Sequence, residues 1–375
     1  MSQSGFKAMT ISACLHNERK YAIFAAKFES ENKRMKKKRL LIGLGIVLLV
    51  LASGIAAGYA CLMNRPLQIK EATFLYIDED DNIDSVYYKL ENRLHASRLT
   101  GFRLLASYTH YADHIHTGAY RFQPEERTWN IFRTLQAGNQ TPVSVTVPSV
   151  RTIGHLCKAV SRQLMTDSAA IARLLNDSTY CAALGYDSCT LPALFIPNTY
   201  EVYWNISDKD FIARMQKEHQ RFWNDKRTAQ AKAIGLTPTE VSTLASIVDE
   251  ETANQAEKPI VAGLYMNRLQ RGMLLQADPT VKFSLKAFGL RRILHKHLET
   301  DSPYNTYKYA GLPPGPIRIP SIQGIESVLN YTHHDYLYMC AKEDFSGTHN
   351  FARTMSQHLA NARRYQQALN RRNIR

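Results

Sequence analysis

The sequence predicts an α+β protein with a single transmembrane helix near the N-terminus, a small α+β module and a larger mixed α+β domain. Three observations predict it. Leu40–Met63 is an uncharged apolar run of 24 residues. Short strand patterns at Thr73–Ile77, Gly118–Phe122 and Val143–Val147 alternate with helical spacings. From Thr237 onward, long apolar helical segments are separated by Pro/Gly-rich loops. With 375 residues, 45% hydrophobic and 21% charged, the chain has ordinary globular composition and room for more than one unit.

The apolar run spans roughly 36 Å as a helix, enough to cross a hydrocarbon core of ~30 Å. Lys33, Arg34, Lys36, Lys37, Lys38 and Arg39 precede it, whereas only Arg65 and Lys70 follow closely. Residues 1–39 carry 10 Lys/Arg against 3 Asp/Glu, half of the net +14 of the whole chain. That asymmetry predicts a basic cytoplasmic tail over 1–39, a membrane span over 40–63 and an extracytoplasmic, periplasmic location for 64–375, and it excludes nucleic acid as a partner. The run is longer than a cleaved signal's apolar region, and Gly58-Tyr59-Ala60 is a poor approach to a lipoprotein site at Cys61. Residues 1–34 read equally as a tail or as sequence upstream of a natural start at Met35.

Outside the membrane, two stretches repeat a pattern 70 residues apart. After Thr73–Ile77, Ile83, Val86, Tyr87, Leu90 and Leu94 recur at helical spacing; after Val143–Val147, with Thr152 as cap, Ile153, Leu156, Cys157, Val160 and Leu164 match them position for position. Gly118–Phe122 and a helix over Thr128–Leu135 lie between. These units predict a module over 70–165 that either binds an extended polymer or spaces the next domain from the membrane. Residues 166–368 form the second domain, and 369–375 a solvated basic tail. Cys181 and Cys189 are close enough to pair in an oxidising compartment, and buried free thiols are the alternative.

The segment Thr237–Thr252 is the most informative. Thr237 and Glu240 form a capping-box pattern, with Pro238 at the first helical position. With Val241 at zero and about 100° per residue, the apolar residues Leu244, Ala245, Ile247 and Val248 occupy an arc from about 240° to about 40°. Asp249 and Glu250 fall outside it; Glu251 falls near 280°, inside. An ionised carboxylate among apolar neighbours must be paired, protonated or functional, and desolvation raises its pKa toward that of a general acid working near neutrality. A structural pairing with Arg268 is the alternative. Beyond it, Gln276, Asp278 and Thr280 alternate, which in an extended segment places them on one face. Ser302–Tyr307, with Tyr304, Asn305, Thr306 and Tyr307, and Gly311–Pro316 read as rigid loops rich in side chains suited to sugar rings and hydroxyls, and the tight Pro/Gly turns read equally as plain connectors. Together with an inward Glu they point to a polysaccharide cleft.

At these residues the chain resembles the MltG (YceG-like) family of endolytic murein transglycosylases. The resemblance spans roughly 40–368 and is carried by Leu244–Thr252, Val261–Leu269 with Asn267 and Arg268, Leu275–Thr280, Ser302–Tyr307, Gly311–Ile317, Phe195–Tyr203 and His349–Phe351. It implies a LysM-like region over 70–165 and a catalytic domain over 166–368. It places the catalytic glutamate on Glu251, with Gln276, Asp278, Thr280, Tyr304, Asn305, Thr306, Tyr307, Asn267 and Arg268 as substrate-binding candidates. The implied chemistry is non-hydrolytic cleavage of the N-acetylmuramic acid–β-1,4–N-acetylglucosamine bond to 1,6-anhydro ends, with no cofactor. The implied partners are peptidoglycan strands, the membrane and peptidoglycan synthases. Asn198 stands where the family usually has Asp, and Asp249 where Glu is common.

Three other readings follow from the same residues. A glycan-binding scaffold of the wall-synthesis machinery would not need Glu251. A hydrolase would need Asp278 as base to an activated water. A metal enzyme has only His295/His297 and His333/His334 as compact pairs, without the helical i,i+4 spacing and Glu of a zinc site, and these read as solvated loop histidines.

Overall fold

The computed structural model describes residues 4–67, 69–96, 99–290 and 292–372, with side chains from residue 20 onward. It is a mixed α+β structure in two compact units. The first comprises residues up to Leu75, Asp80–His116 and Arg121–Asn139; the second comprises Tyr76–Glu79, Thr117–Tyr120 and the chain from Gln140.

In the first unit, α1 runs from Ser4 to Leu62 as one helix. Its Lys20–Leu62 part is long and apolar enough to cross a membrane, and none of its most apolar stretch is covered by protein. Helices α2 (Ile83–Asn92), α3 (Thr100–Tyr108) and α4 (Thr128–Gln136) follow. Asn82 caps α2 by accepting from the Ser85 N–H. The core is aromatic: Phe102 meets Tyr111 and Phe132 edge to face, with ring centroids 6.2 and 5.5 Å apart. Strand β1 (Thr73–Ile77), whose Tyr76 and Ile77 count with the second unit, pairs with β2 (Gly118–Phe122), whose first three residues do so too. Each of these strands occupies the span its alternation predicts.

In the second unit, β3 (Val143–Val147) buries Val143, Val145 and Val147 on one face. That pattern groups β3 with the strands before it in sequence. Its partner is instead β4 (Asn198–Val202), antiparallel, with Val145 opposite Tyr200. A half-buried strand takes whichever edge carries a matching apolar face, and β4 buries Tyr200 and Val202 in register. Between them stand α5 (Ile153–Ser161), capped by Thr152, α6 (Ser168–Asn176) and α7 (Ser178–Ala183). Cys181 and Cys189 are free, and Cys181 donates to the Leu175 carbonyl at 3.3 Å.

After α8 (Asp208–Phe222) and α9 (Asp225–Ala233) comes the centre of the unit, where α10 (Pro238–Glu251), α11 (Lys258–Gln270) and α14 (Ile322–Leu329) pack on one another. The capping box on Thr237 and Glu240 is present. Every residue from Val241 to Val248 is buried, polar ones included. Ser242, Thr243 and Ser246 satisfy their hydroxyls on carbonyls one turn back. A Cβ on Gly263 would meet the Thr332 carbonyl oxygen at 2.2 Å, so glycine there lets residues 332–334 lie against α11. Two short helices, α12 (Asp278–Ser284) and α13 (His295–Leu298), precede α14. A hairpin of β5 (Tyr338–Ala341) and β6 (His349–Ala352) packs against α15 (Met355–Arg371). The expected tail from 369 is thus helical through Arg371, and Ala368 is buried on its apolar side.

Candidate active site

The C-terminal end of α10, the face of α11, the start of α12 and the β5–β6 hairpin enclose a cavity of about 220 Å³. Glu251, Tyr265, Arg268, Gln276, Asp278, Tyr307 and His349 are among its lining residues. Glu251 is the last residue of α10 and opens only partly to the cavity. The surrounding protein desolvates its carboxyl and raises its pKa to about 7; a hydrogen bond from Tyr265 opposes the rise and the nearby Asp278 charge adds to it. The Tyr265 hydroxyl donates to Glu251 Oε1 at 2.7 Å. Burial, with the Glu251 charge beside it, holds that phenol well above its ordinary range. No hydrogen bond engages Glu251 Oε2 among the described residues.

The two acids before Glu251 are anchored elsewhere. Asp249, which the helical arc placed outside, has a side chain only 3% exposed. It accepts from Lys258 Nζ at 2.5 Å and from the Ser321 N–H and hydroxyl at 2.6 and 2.9 Å. Because α10 is surrounded, angular position alone does not decide burial; a carboxylate enters wherever partners meet it. Glu250 takes Arg151 on both oxygens at 2.8 Å, and Arg318 at 3.0 Å. Each acid thus has a distinct setting, and only Glu251 faces the cavity without a cationic partner within salt-bridge reach.

Arg268 does not pair with Glu251. Its guanidinium is spent on the carbonyls of Leu337, Leu274 and Leu275, at 2.7, 3.3 and 2.6 Å, which fixes the chain leading to Gln276. Gln276 adopts φ +51°, and α12 begins at Asp278, so the extended alternation expected over 275–280 is absent. Gln276 and Asp278 line the cavity nonetheless. Thr280 is fully buried, donating to the Ala277 carbonyl at 2.7 Å and contacting Thr306 Oγ1 at 2.9 Å. Thr306 in turn accepts from the Ala277 N–H at 3.0 Å. These two hydroxyls staple the 276–280 bend to the 302–309 loop from behind. Asn305, also fully buried, donates to the Leu298 and Thr300 carbonyls at 2.8 and 2.7 Å and shapes that loop. Tyr304 packs on Phe283, with centroids 4.7 Å apart. Asn267 donates to the His334 and Tyr336 carbonyls at 2.6 and 3.0 Å. Of the binding candidates, therefore, Gln276, Asp278, Tyr307 and Arg268 reach the cavity; Thr280, Tyr304, Asn305, Thr306 and Asn267 support it from outside.

Tyr307 donates to Asp278 Oδ1 at 2.6 Å, and its own pKa is pushed up by burial and by that carboxylate. Sequence reasoning passed over Tyr265 and His349 as cavity residues. Tyr265 lies fourteen residues after Glu251 on the next helix, and only the packing of α11 on α10 brings them together. Of the histidine pairs, His333 is exposed in a loop as expected and His295 is exposed but on α13 with the half-buried His297, while His334 is half-buried, with Nε2 2.9 Å from the Ile260 carbonyl oxygen. Among the described residues no cluster of three or more His, Cys, Asp or Glu could hold a metal ion.

Residues 75–364 match the YceG-like family. Over 342 residues the chain is 27% identical to proteins named endolytic murein transglycosylase in two strains of Streptococcus pneumoniae, covering 81% of this chain and 61% of theirs. A Bacillus subtilis protein of the same name is 37% identical over 152 residues, or 40% of this chain and 41% of that one. The chain thus spans less than two thirds of the length of these relatives. A solved structure described as a YceG-like protein of Listeria monocytogenes superposes with a TM-score of 0.52 at 25% identity, covering 78% of this chain and 99% of that one.

Proposed function

This chain belongs to the YceG-like family, and from that premise we propose that it is a membrane-anchored endolytic murein transglycosylase. It cleaves the β-1,4 bond between N-acetylmuramic acid and N-acetylglucosamine and leaves 1,6-anhydro ends. The observation that carries this reading is Glu251, desolvated to a pKa of about 7 at the edge of the cavity, with one oxygen held by Tyr265. At neutral pH such a group is present in both forms, as one residue acting first as acid and then as base requires. Protonated Glu251 gives its proton to the glycosidic oxygen as positive charge develops at C1. The Tyr265 hydrogen bond stabilises the carboxylate that results. That carboxylate then takes the proton of the muramyl C6 hydroxyl, whose oxygen closes the anhydro ring. Asp278, held by Tyr307, orients substrate.

A second cavity of about 110 Å³ is lined by Pro279, Lys282 and Phe283 of α12 with Arg151 and Phe288. Openings bordered by Asp278 on the one hand and by its helical neighbours on the other suit an extended polymer. The proposal includes glycan binding by a LysM-like segment within 70–165. It orients α1 by the basic residues before Leu40, with the N-terminus in the cytoplasm and the catalytic domain outside.

The test is the full chain in detergent, incubated with uncrosslinked glycan strands beside its Glu251→Gln variant, with new ends read by mass spectrometry. Anhydromuramyl ends that vanish in the variant are expected. Reducing ends, heavier by one water, would make the protein a hydrolase with Asp278 as the second carboxylate. Strands bound but left intact by the wild type would make it a scaffold.

A further inference from the structure

Opposite the helices, β6 brings His349 into the Glu251 cavity. Its ring is held from behind by Glu257, which ends the loop from α10 to α11 and is 7% exposed. Glu257 Oε2 lies 3.0 Å from His349 Nδ1, Oε1 accepts the His349 backbone N–H at 2.6 Å, and Thr252 donates to Oε2 at 3.1 Å. The His349 backbone N–H and the Thr252 hydroxyl both donate to this carboxylate, and a carboxylate only accepts. Nδ1 therefore carries the hydrogen, and in the neutral ring Nε2 is an acceptor. Nε2 makes no hydrogen bond among the described residues.

Several other polar groups of the cavity are committed, whereas Glu251 Oε2 and the Gln276 side chain make no hydrogen bond among the described residues. The Tyr265 hydroxyl is given to Glu251, the Tyr307 hydroxyl to Asp278, and Arg268 to main-chain carbonyls. His349 lines the cavity that holds the acid, and its Nε2 is an acceptor that no protein donor engages among the described residues. Cys340 of β5 also lines this space, and α15 behind the hairpin carries His358, stacked on Tyr338, and Arg364, paired with Glu343.

The substrate has one N–H donor beside the reacting carbon, the acetamido group on C2 of the muramyl ring. Resting on the reading above, we infer that His349, oriented by Glu257, is a further catalytic residue whose Nε2 accepts this acetamido N–H and turns the acetamido oxygen onto C1. As Glu251 protonates the leaving oxygen, the C1–O bond to the departing glucosamine breaks and a bond from the acetamido oxygen to C1 forms. The C6 oxygen then attacks C1, the acetamido oxygen leaves, and the C6 proton passes to the Glu251 carboxylate. Protons and bonds balance, and no co-reactant is needed.

The test uses the full chain in detergent and compares His349→Asn, whose amide occupies the Nδ1 position and keeps the Glu257 bond, with wild type. The expected result is a loss of at least about 100-fold in kcat, with KM within a few-fold and the melting temperature retained. Glu257→Gln, which can still accept at its amide oxygen but no longer dictates which ring nitrogen carries the hydrogen, should lower kcat in the same direction with KM little changed. Strands de-N-acetylated at muramic acid should abolish the difference between wild type and His349→Asn. An unchanged kcat in His349→Asn, a loss that appears in KM rather than kcat, or a difference that persists on de-N-acetylated strands would each overturn this inference while leaving Glu251 as the acid. A wild type that forms no anhydromuramyl ends would overturn the transglycosylase reading itself.

Discussion

Replacing Tyr265 by Phe removes one atom from the site and should shift the pH dependence of the reaction. Tyr265 is buried on α11 and its ring packs in the core around α10, so the Phe ring fills the same space. What is lost is the 2.7 Å hydrogen bond to Glu251 Oε1. Such a bond favours the carboxylate over the acid, and it opposes the desolvation that raises Glu251 to about 7. A hydrogen bond to a charged group contributes about 1.5–3 kcal/mol and one to a neutral group about 0.5–1.5, a difference near 1 kcal/mol. At about 1.4 kcal/mol per pH unit, the Glu251 pKa should rise by roughly one unit in Tyr265→Phe. The pH profile of kcat/KM on glycan strands reads this directly: the limb falling toward alkali should move up by about that amount. At neutral pH more enzyme holds the proton, yet the carboxylate formed in the transition state has lost its donor, so kcat should fall. An alkaline limb that stays in place would refute the assignment of that limb to Glu251, or the assignment of its stabilising donor to Tyr265.

Two further predictions concern stability. Because the folded-state pKa of Glu251 is raised to about 7, the folded protein holds its proton more tightly than the unfolded chain; stability is greatest below the ordinary carboxylate range and declines as pH rises through 7. Glu251→Gln lacks this penalty, at most about 3 kcal/mol. Thermal unfolding should therefore show a larger gain over wild type at pH 8 than at pH 4, and equal differences at the two pH values would contradict the desolvated carboxyl. Asp249→Ala strands Lys258, whose side chain is 10% exposed, and removes the partner of the Ser321 N–H and hydroxyl. Breaking such a buried pair costs about 3–5 kcal/mol, and denaturant unfolding showing a loss under 1 kcal/mol would exclude that network as a stabilising element. Gly324 belongs to the same arrangement, since a Cβ there would meet Asp249 Oδ1 at 2.6 Å.

Local signals carried much of the architecture. The apolar run ending near Leu62, the alternations at Thr73–Ile77, Gly118–Phe122 and Val143–Val147, and the capping box at Thr237 and Glu240 all depend on neighbours within a few residues. Chain sterics and a two- or four-residue periodicity express them wherever they occur. The angle of Glu251 on α10 is legible for the same reason, since helix geometry fixes it once the start is known, although the same angles put outside an Asp249 whose side chain is 3% exposed. Pairing between distant segments is not local. That β3 takes β4, that Thr280 and Thr306 face each other as staples, and that Asn267 and Arg268 serve main-chain carbonyls depend on which surfaces meet. The pKa of Glu251, the hydroxyl of Tyr265 upon it and the Glu257–His349 pair belong to this second kind. They arise where α10, α11 and the β5–β6 hairpin converge, because desolvation and hydrogen bonding are sums over neighbours that the order of residues does not list.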